Sequence, residues 1–386
     1  MVEIKILFVV SYYPPYHSGV TEYVKRLAEG LAARGHDATV LTSRHIPTLP
    51  SDETLNGVRV IRLPVLFKVS KGVFKPALLP TLRRMCQDYD IVNIHLPLPE
   101  VGACALLLKK RNLILTYHCD LELHKGLPEK LIEKIYYLSL NFALPRSERI
   151  IVNDLDYAMH SKIRSYKEKI VEIHPPITAY QRTDPAGFKN KYGLKQDDII
   201  IGFLGRLVYE KGLEYLIKAV PLVLAELPKA RFIIAGEGED VAGGKKHSVK
   251  DELIKMSKPY GDRVLFTGFL PQSEIPAFYS ACDVFVLPSI APLESFGMVQ
   301  VEAMLCGTPV VATDMPGVRT PVIKTKMGIL VPPKDEESLA IAITTIINER
   351  NRYIRPTGHI CLHFSIDNTI ESYEKIFINS AQKQSR

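Results

Sequence analysis

Short, continuously apolar runs recur along this chain, each followed by an amphipathic stretch, and they fall into two series. The first comprises residues 4–10, 38–42, 58–63, 91–95, 113–118, 149–153 and 170–174; the second comprises 199–205, 231–236, 264–268, 284–287, 309–313 and 328–331. Strands that are apolar throughout, rather than at alternate positions, are covered on both faces. Alternating with helices, they predict an α/β chain with parallel, doubly wound sheets. Residues 20–34 illustrate the helical half of the pattern. Val20, Val24, Leu27 and Leu31 form one stripe, and Gly35 stands where a helix ends. With 386 residues the chain exceeds what a single core normally fills, so each series is expected to build its own domain. The junction is expected at His174-Pro175-Pro176-Ile177-Thr178, where two prolines end a strand and stiffen a connector. The domains are thus 1–176 and 177–364. A last helical stretch, 365–381, carries the apolar face Tyr373, Ile376 and Phe377.

Composition excludes several classes. A chain 46% hydrophobic and 24% charged is globular rather than disordered. Its longest apolar runs fall short of the ~20 residues that span a bilayer. The opening MVEIKILFVVSYY has an early acid and no small-residue cleavage site, so it reads as a first strand and the protein as cytoplasmic. Six scattered cysteines without a C-x-x-C pair suit neither a disulfide framework nor a zinc site, and Cys104 and Cys306 read as small core fillers. A formal charge of +7 favours anionic partners. No nucleic-acid-binding motif accompanies it, and nucleic acid is not an expected partner.

The stretch from Val286 to Asp314, VLPSIAPLESFGMVQVEAMLCGTPVVATD, concentrates the chemistry. A buried strand leads to a loop with Glu294; Ser295-Phe296-Gly297 opens a short helix carrying Glu302, and another apolar strand follows. In parallel α/β sheets ligands sit beyond the carboxyl ends of the strands, where helix N-termini direct N–H groups at anions. Gly297 and Glu302 are about 7–8 Å apart along a helix axis. Two carboxylates flanking a phosphate seat suit a nucleotide sugar, with hydroxyls on both sides of a diphosphate. A pair acting on one glycosidic bond, about 5–9.5 Å between carboxyl groups, is not excluded by spacing alone. In GRLVYEKG, Arg206 and Lys211 emerge at the carboxyl edge of the second domain's first strand, where a planar fork and a compact ammonium can grip a diphosphate. In the first domain Ser18-Gly19 lies at a helix N-terminus, and His118 and Asp120 of TYHCD follow directly on a strand. Two Asp-x-Asp triplets, Asp88 with Asp90 and Asp154 with Asp156, are read as solvated and as helix-opening acids respectively rather than as metal ligands.

With these pieces in place, the chain resembles the retaining glycosyltransferases of the GT-B fold, in particular the large family 4, the glycosyl transferases group 1. The resemblance spans nearly the whole chain and rests on RLAEGLAARGHDATVLT with its glycine loop, TYHCD, GRLVYEKG, FIIAGEGE, VLFTGFL and PLESFGMVQVEAMLCGTPVVATD. It implies two Rossmann-like domains facing a cleft, the first on the acceptor side and the second binding the donor, with the C-terminal helix crossing back to the first. By resemblance Arg206 and Lys211 bind the donor diphosphate, the amide of Gly19 contacts its distal phosphate, and Glu302 holds the ribose hydroxyls. Glu294 holds hydroxyls of the transferred sugar, the amides of Phe296, Gly297, Met298 and Val299 line sugar and phosphate, and Phe269 and Leu270 border the base. His118 lies near the reacting centre. No cofactor and no metal is implied, the two cations serving the diphosphate instead.

Two departures stand out. The first loop has Ser18-Gly19 where the family often has two glycines, and Arg319-Thr320 falls where the family often has a glutamate. The expected activity is sugar transfer from a UDP- or GDP-linked donor to an acceptor. The alternatives are a sugar-nucleotide epimerase of similar fold and a non-catalytic carbohydrate- or membrane-binding protein. The stretch from Val65 to Arg84 combines Leu, Val and Phe with Lys68, Lys71, Lys75, Arg83 and Arg84 and has no acid. It is read either as a contact with anionic membrane, which suits a lipid-linked or cell-envelope acceptor, or as an ordinary basic face. Gly72, Pro76 and Pro80 forbid one continuous helix there.

Overall fold

The computed structural model describes residues 3–69, 72–110, 112–123, 126–238 and 248–383. The chain divides into two compact units, Met1–Pro176 with Ile366–Arg386, and Ile177–Ser365. The first unit carries β1 (Lys5–Val9), β2 (Asp37–Arg44), β3 (Asp52–Leu55), β4 (Val58–Pro64), β5 (Phe67–Val69), β6 (Gly72–Phe74), β7 (Ile91–Leu96), β8 (Leu113–Tyr117), β9 (Arg149–Val152) and β10 (Ile170–Glu172). Eight of these form one sheet in the order β10-β9-β8-β7-β1-β2-β4-β3, parallel except for β3 against β4. The order reverses between β1 and β7, and that gap is the unit's switch point. Its helices α1 (Gly19–Ala33), α2 (Leu78–Met85), α3 (Val101–Leu107) and α4 (Gly126–Ala143) connect the strands.

The second unit has β11 (Ile199–Leu204), β12 (Ala230–Ala235), β13 (Val264–Gly268), β14 (Val284–Leu287), β15 (Val310–Thr313) and β16 (Gly328–Val331). They form a parallel sheet in the order β13-β12-β11-β14-β15-β16, the dinucleotide-fold order, with its switch point between β11 and β14. All its strands are short, the four inner ones are largely buried and the edge strands β13 and β16 partly so, and apolar clusters cover both faces of the sheet, as continuous apolar runs require.

Ser18 caps α1, its Oγ accepting the Thr21 amide at 3.1 Å, and Val24, Leu27, Ala28 and Leu31 face the core at helical spacing. The C-terminal helix Ile366–Gln382 packs on α1 within the same unit. A Cβ at Gly30 would lie 2.1 Å from Ile370 Cδ1, so a larger residue there would have to displace the Ile370 side chain. A buried polar chain ties the helix to the sheet: the hydroxyls of Tyr23 and Tyr373 are 2.8 Å apart, and Tyr373 reaches Thr116 Oγ1 at 3.1 Å. Next to Tyr373, Glu374 meets Arg34 at 2.7 Å and His36 at 2.9 Å.

Every run of the two series is a strand, with ends that agree to within two residues. His118, Asn153, His174 and Gly205 fall just past the strands assigned to them, on the ligand-facing loops. Three strands were not anticipated. β3 is a short polar edge strand, and β5 and β6 form a small hairpin inside the stretch from Val65 to Arg84. That stretch departs from the expected basic face at Lys75, which is 2% exposed. Its chain crosses inward after β6, and Leu78 and Leu82 of α2 enter the core. Lys71 lies outside the described residues. On the surface remain Leu66, the stacked pair Phe67 and Phe74, Lys68, Arg83 and Arg84.

Candidate active site

In the second unit, β11 and β14 are neighbours, pairing Ile201 with Val284 and Gly202 with Phe285. The loops that leave their carboxyl ends therefore rise side by side at the switch point. Gly212, at φ +62°, packs so closely that a Cβ would lie 2.1 Å from the Pro288 carbonyl oxygen. The Ile290 amide donates to Glu210 O at 3.0 Å and locks the loops together. Across this contact the Lys211 ammonium pairs directly with the Glu294 carboxylate. Both side chains keep a solvent-facing edge, at 18% and 16% exposure, so the pair is accessible to a ligand. Arg206 is partly buried on the same loop.

The helix Met298–Leu305 starts from Gly297, whose φ of +76° and close packing exclude a side chain. A Cβ there would meet Leu287 Cδ2 at 2.4 Å. Gln300, fully buried, donates from Nε2 to the carbonyls of Phe296 (2.7 Å) and Val318 (2.9 Å), holding the helix start in place. Phe296 turns its side chain into the core against Phe364, centroids 5.5 Å apart, which leaves its backbone at the helix entrance. Met298 and Val299 form the first turn. Glu302 is 5% exposed, and its carboxylate accepts the Tyr279 hydroxyl at 3.1 Å. Burial, then the neighbouring Glu302 charge, push the Tyr279 phenol well above its usual range, so it stays a neutral donor to that carboxylate.

Of the two residues expected beside a base, Phe269 is 54% exposed, whereas Leu270 is 3% exposed and belongs to the core. Only the Phe269 side chain is presented. Its amide donates to Glu237 at 3.3 Å, and Glu237 pairs with Lys250 at 2.7 Å. Where the sequence departs from the family pattern, Arg319 reaches Asp314 at 3.2 Å just past β15.

In the first unit Gly19 opens α1 at the surface, next to the switch point. His118 is not a lone histidine. Its Nε2 lies 2.9 Å from His95 Nδ1, the rings stack at 5.1 Å, and Tyr23 meets His118 edge-on at 4.7 Å. Burial pushes His118 down to about 3, and burial with the neighbouring ring pushes His95 well below its usual range, so both are neutral. His95 Nε2 is buried without a hydrogen-bond partner. An orphaned N–H is the costlier form, which places the His95 proton on Nδ1. His118 then accepts at Nε2 and carries its own proton on Nδ1. Asp120 is committed elsewhere, its carboxylate taken by the Tyr117 hydroxyl and the Lys162 amide.

Asp90 accepts the Lys5 amide at 2.8 Å, and Asp154 caps a helix through the Tyr157 amide at 2.8 Å. Asp154, Glu172 and His174 bring one ligand atom each within 4.8 Å of one another. Glu172 also accepts the Leu155 amide at 2.7 Å, and His174 Nδ1 lies 3.0 Å from Asn153 O.

His95, Tyr279 and Gln300 were missed by the sequence reading. A signal existed for His95: Asn93 and His95 are polar residues at alternate positions of a strand buried along its whole length. Tyr279 and Gln300 carry none, since a tyrosine and a glutamine on amphipathic helices look like core and surface.

Comparison with known proteins agrees with this geometry. The model of the glycosyl transferase 4-like domain matches residues 18–160, and that of the glycosyl transferases group 1 matches residues 186–357. An uncharacterized glycosyltransferase of Methanocaldococcus jannaschii is 29% identical over 372 residues, covering 89% of each chain. A phosphatidyl-myo-inositol mannosyltransferase of Mycolicibacterium smegmatis is 28% identical, covering 86% of this chain and 81% of its own. The sucrose-phosphate synthase of Thermosynechococcus elongatus superposes with a TM-score of 0.77 at 23% identity, over 98% of this chain and 99% of that one. The chain belongs to the glycosyl transferases group 1 family, with two parallel-sheet α/β domains of the GT-B type.

Proposed function

We propose that this enzyme moves a sugar from a UDP- or GDP-linked donor to a hydroxyl acceptor, with retention at the anomeric carbon and without a divalent metal. The observation that carries this reading is the Lys211–Glu294 pair at the switch point of the second unit, beside a glycine-opened helix. In the free protein the carboxylate neutralises the ammonium. A donor diphosphate takes over Lys211 together with Arg206, and Glu294 is released to the hydroxyls of the sugar. In this reading Glu302, which accepts the Tyr279 hydroxyl, holds the ribose, and the amides of Gly297, Met298 and Val299 hold phosphate and sugar. In the first unit, His118 is available as a neutral N–H donor and Gly19 as an amide at the start of a helix.

The reaction breaks the bond from the anomeric carbon to the phosphate oxygen, and its electrons stay on the departing diphosphate. Two cations and oriented amides stabilise that charge, the effect that dominates such steps. Retention without a protein nucleophile requires the acceptor oxygen to arrive on the face the phosphate leaves. The departing phosphate oxygen is then the nearest base for the acceptor proton.

The acceptor side of this reading is supported by unpaired polar groups in the first unit. Tyr13 Oη, Ser43 Oγ, His45 Nδ1, Lys75 Nζ and both Glu100 carboxylate oxygens are buried without hydrogen-bond partners. They belong to the ends of β1, β2, β6 and β7 or to the turns that follow. The likeness to a phosphatidyl-myo-inositol mannosyltransferase supports a lipid-linked acceptor, and the hairpin of β5 and β6, with Phe67, Phe74 and Lys68 exposed, suits a contact with its headgroup region. The test is transfer from UDP- and GDP-sugars to inositol phospholipids and soluble glycosides in the presence of a chelator. The anomeric configuration of the product is read by NMR. An inverted product, or full loss of activity with the chelator, would contradict the mechanism.

A further inference from the structure

β16 is the last strand of the second unit's sheet, and a cavity of about 360 Å³ opens beside it. That volume lies within the range of small-molecule sites, about 300–1,000 Å³. The lining comes from β16, from the helix Thr320–Thr325 with Lys326 after it, and from the segment 352–355. Val322 and Leu330 pack with one core cluster and Tyr353 with another, which fixes an apolar floor. Ile323, 47% exposed, extends that floor to the surface. Gly328, the first residue of β16, also lines the cavity and places it toward the amino end of the strand. The Lys211–Glu294 pair stands at the carboxyl edge of the same sheet, and β15 lies between β14 and β16.

The charged lining has one sign. It consists of Lys326, Arg352 and Arg355, and among the described residues no carboxylate joins them. Lys326 is exposed, and its ammonium makes no ion pair among the described residues. Arg355 is partly buried, and its Nη1 donates to the carbonyls of Arg352 at 2.7 Å and Ile354 at 2.9 Å. Those bonds hold the guanidinium in place without neutralising it. Arg352 meets Glu349 at 2.8 Å, but at 72% and 48% exposure such a pair is weak, and a ligand anion can compete for it. The sequence carries the same bias: residues 319–326 and 348–355 hold Arg319, Lys324, Lys326, Arg350, Arg352 and Arg355 against Glu349 alone. A planar fork beside an ammonium suits phosphate oxygens. The apolar floor gains only from an occupant that also carries carbon. We propose that this cavity binds a small organic phosphate, a phosphate monoester on a compact apolar body, with the phosphate on Lys326 and Arg355 and the body against Val322, Leu330 and Tyr353. The site is additional to the donor seat, and the inference does not depend on the transferase reading.

The experiment is methyl NMR of the full chain labelled at isoleucine and leucine, with Ile323 and Leu330 as reporters, titrated with phenyl phosphate, inorganic phosphate and phenol. Phenyl phosphate should shift both reporters saturably. Inorganic phosphate should bind about tenfold more weakly or less, since it leaves the floor uncovered, and phenol should shift neither reporter. Lys326→Asn should weaken phenyl phosphate by about tenfold. Asparagine tolerates the left-handed backbone that Lys326 adopts at φ +55°, so an unchanged melting curve is expected for this variant. Lys326→Asn/Arg355→Gln should weaken binding further. The Arg206→Ala/Lys211→Ala variant should keep the full response, because the donor seat is elsewhere on the sheet. The proposal is overturned if phenyl phosphate leaves both reporters unmoved, or if inorganic phosphate or phenol binds as well as phenyl phosphate. It is also overturned if folded Lys326→Asn responds like the wild type, or if the response disappears in the donor-seat variant.

Discussion

At the scale of single residues, the proposed site turns on the Lys211–Glu294 pair, and in the proposed reaction a donor diphosphate displaces the carboxylate. Lys211→Ala and Arg206→Ala should each remove a charge-assisted contact of about 1.5–3 kcal/mol, lowering kcat/KM about 10- to 150-fold. Melting temperatures should stay near wild type because neither side chain packs in the core. Steady-state kinetics beside thermal melts check both halves. The histidine pair gives a second outcome. A group held below its unfolded value contributes stability that is fully present above that value, near pH 6.5, and is lost as pH falls toward the folded value of about 3. Urea titrations should therefore show stability falling from about pH 6.5 downward, and His118→Asn should flatten that slope. The same neutrality means that kcat/KM should show no histidine ionisation between about pH 6 and 8, and 15N chemical shifts should report the His118 proton on Nδ1. Arg206, Lys211, Glu294 and Glu302 were legible in the sequence because each sits a fixed step from a strand end. His95 and Tyr279 were not, because their partners His118 and Glu302 come from other elements and only the fold brings them together.

At the scale of elements, continuous apolar runs gave every parallel strand of both sheets, since burial on both faces makes such strands apolar throughout, although the apolar run Val101–Leu107 is the helix α3. The edge strand β3 and the hairpin of β5 and β6 stayed hidden because partly exposed strands owe their form to pairing partners, which a local pattern does not record. The basic stretch from Val65 to Arg84 misled for a related reason: composition could not tell that Lys75 turns inward while Lys68 faces solvent. Two elements are exposed to test. Gly297→Ala would force a Cβ to 2.4 Å from Leu287 Cδ2 at positive φ, so it should cost about 1–3 kcal/mol of stability and disorder the amides of the helix Met298–Leu305. Donor affinity should fall with it in a calorimetric titration. Tyr373→Phe removes hydrogen bonds to Tyr23 and Thr116 and should lower unfolding free energy by about 1–2 kcal/mol in urea titrations, leaving nucleoside diphosphate affinity unchanged because both partners lie in the first unit.

At the scale of the whole molecule, two cores of the same class share one chain, and the last helix returns to the unit in which the chain began. The first unit depends on that helix through Ile370, Tyr373 and Phe377, so a chain ending at Phe364 should lose the first unit's cooperative melting while the second unit's transition survives. The charged candidate site residues were visible in the sequence as a spacing, but the reason Lys211 and Glu294 meet is topological. Both sheets reverse order beside their first strand, and the loops carrying Lys211 and Glu294 leave adjacent strands at such a reversal. The most direct measurement is isothermal titration of UDP and GDP into the wild type and into the Arg206→Ala/Lys211→Ala variant. The expected result is saturable binding of one of the two at a single site, weakened about 100-fold or more in the variant, in keeping with the loss of two charge-assisted contacts. Equal affinity in both proteins, or no binding of either nucleotide to a folded wild type, would contradict the assignment of the donor seat.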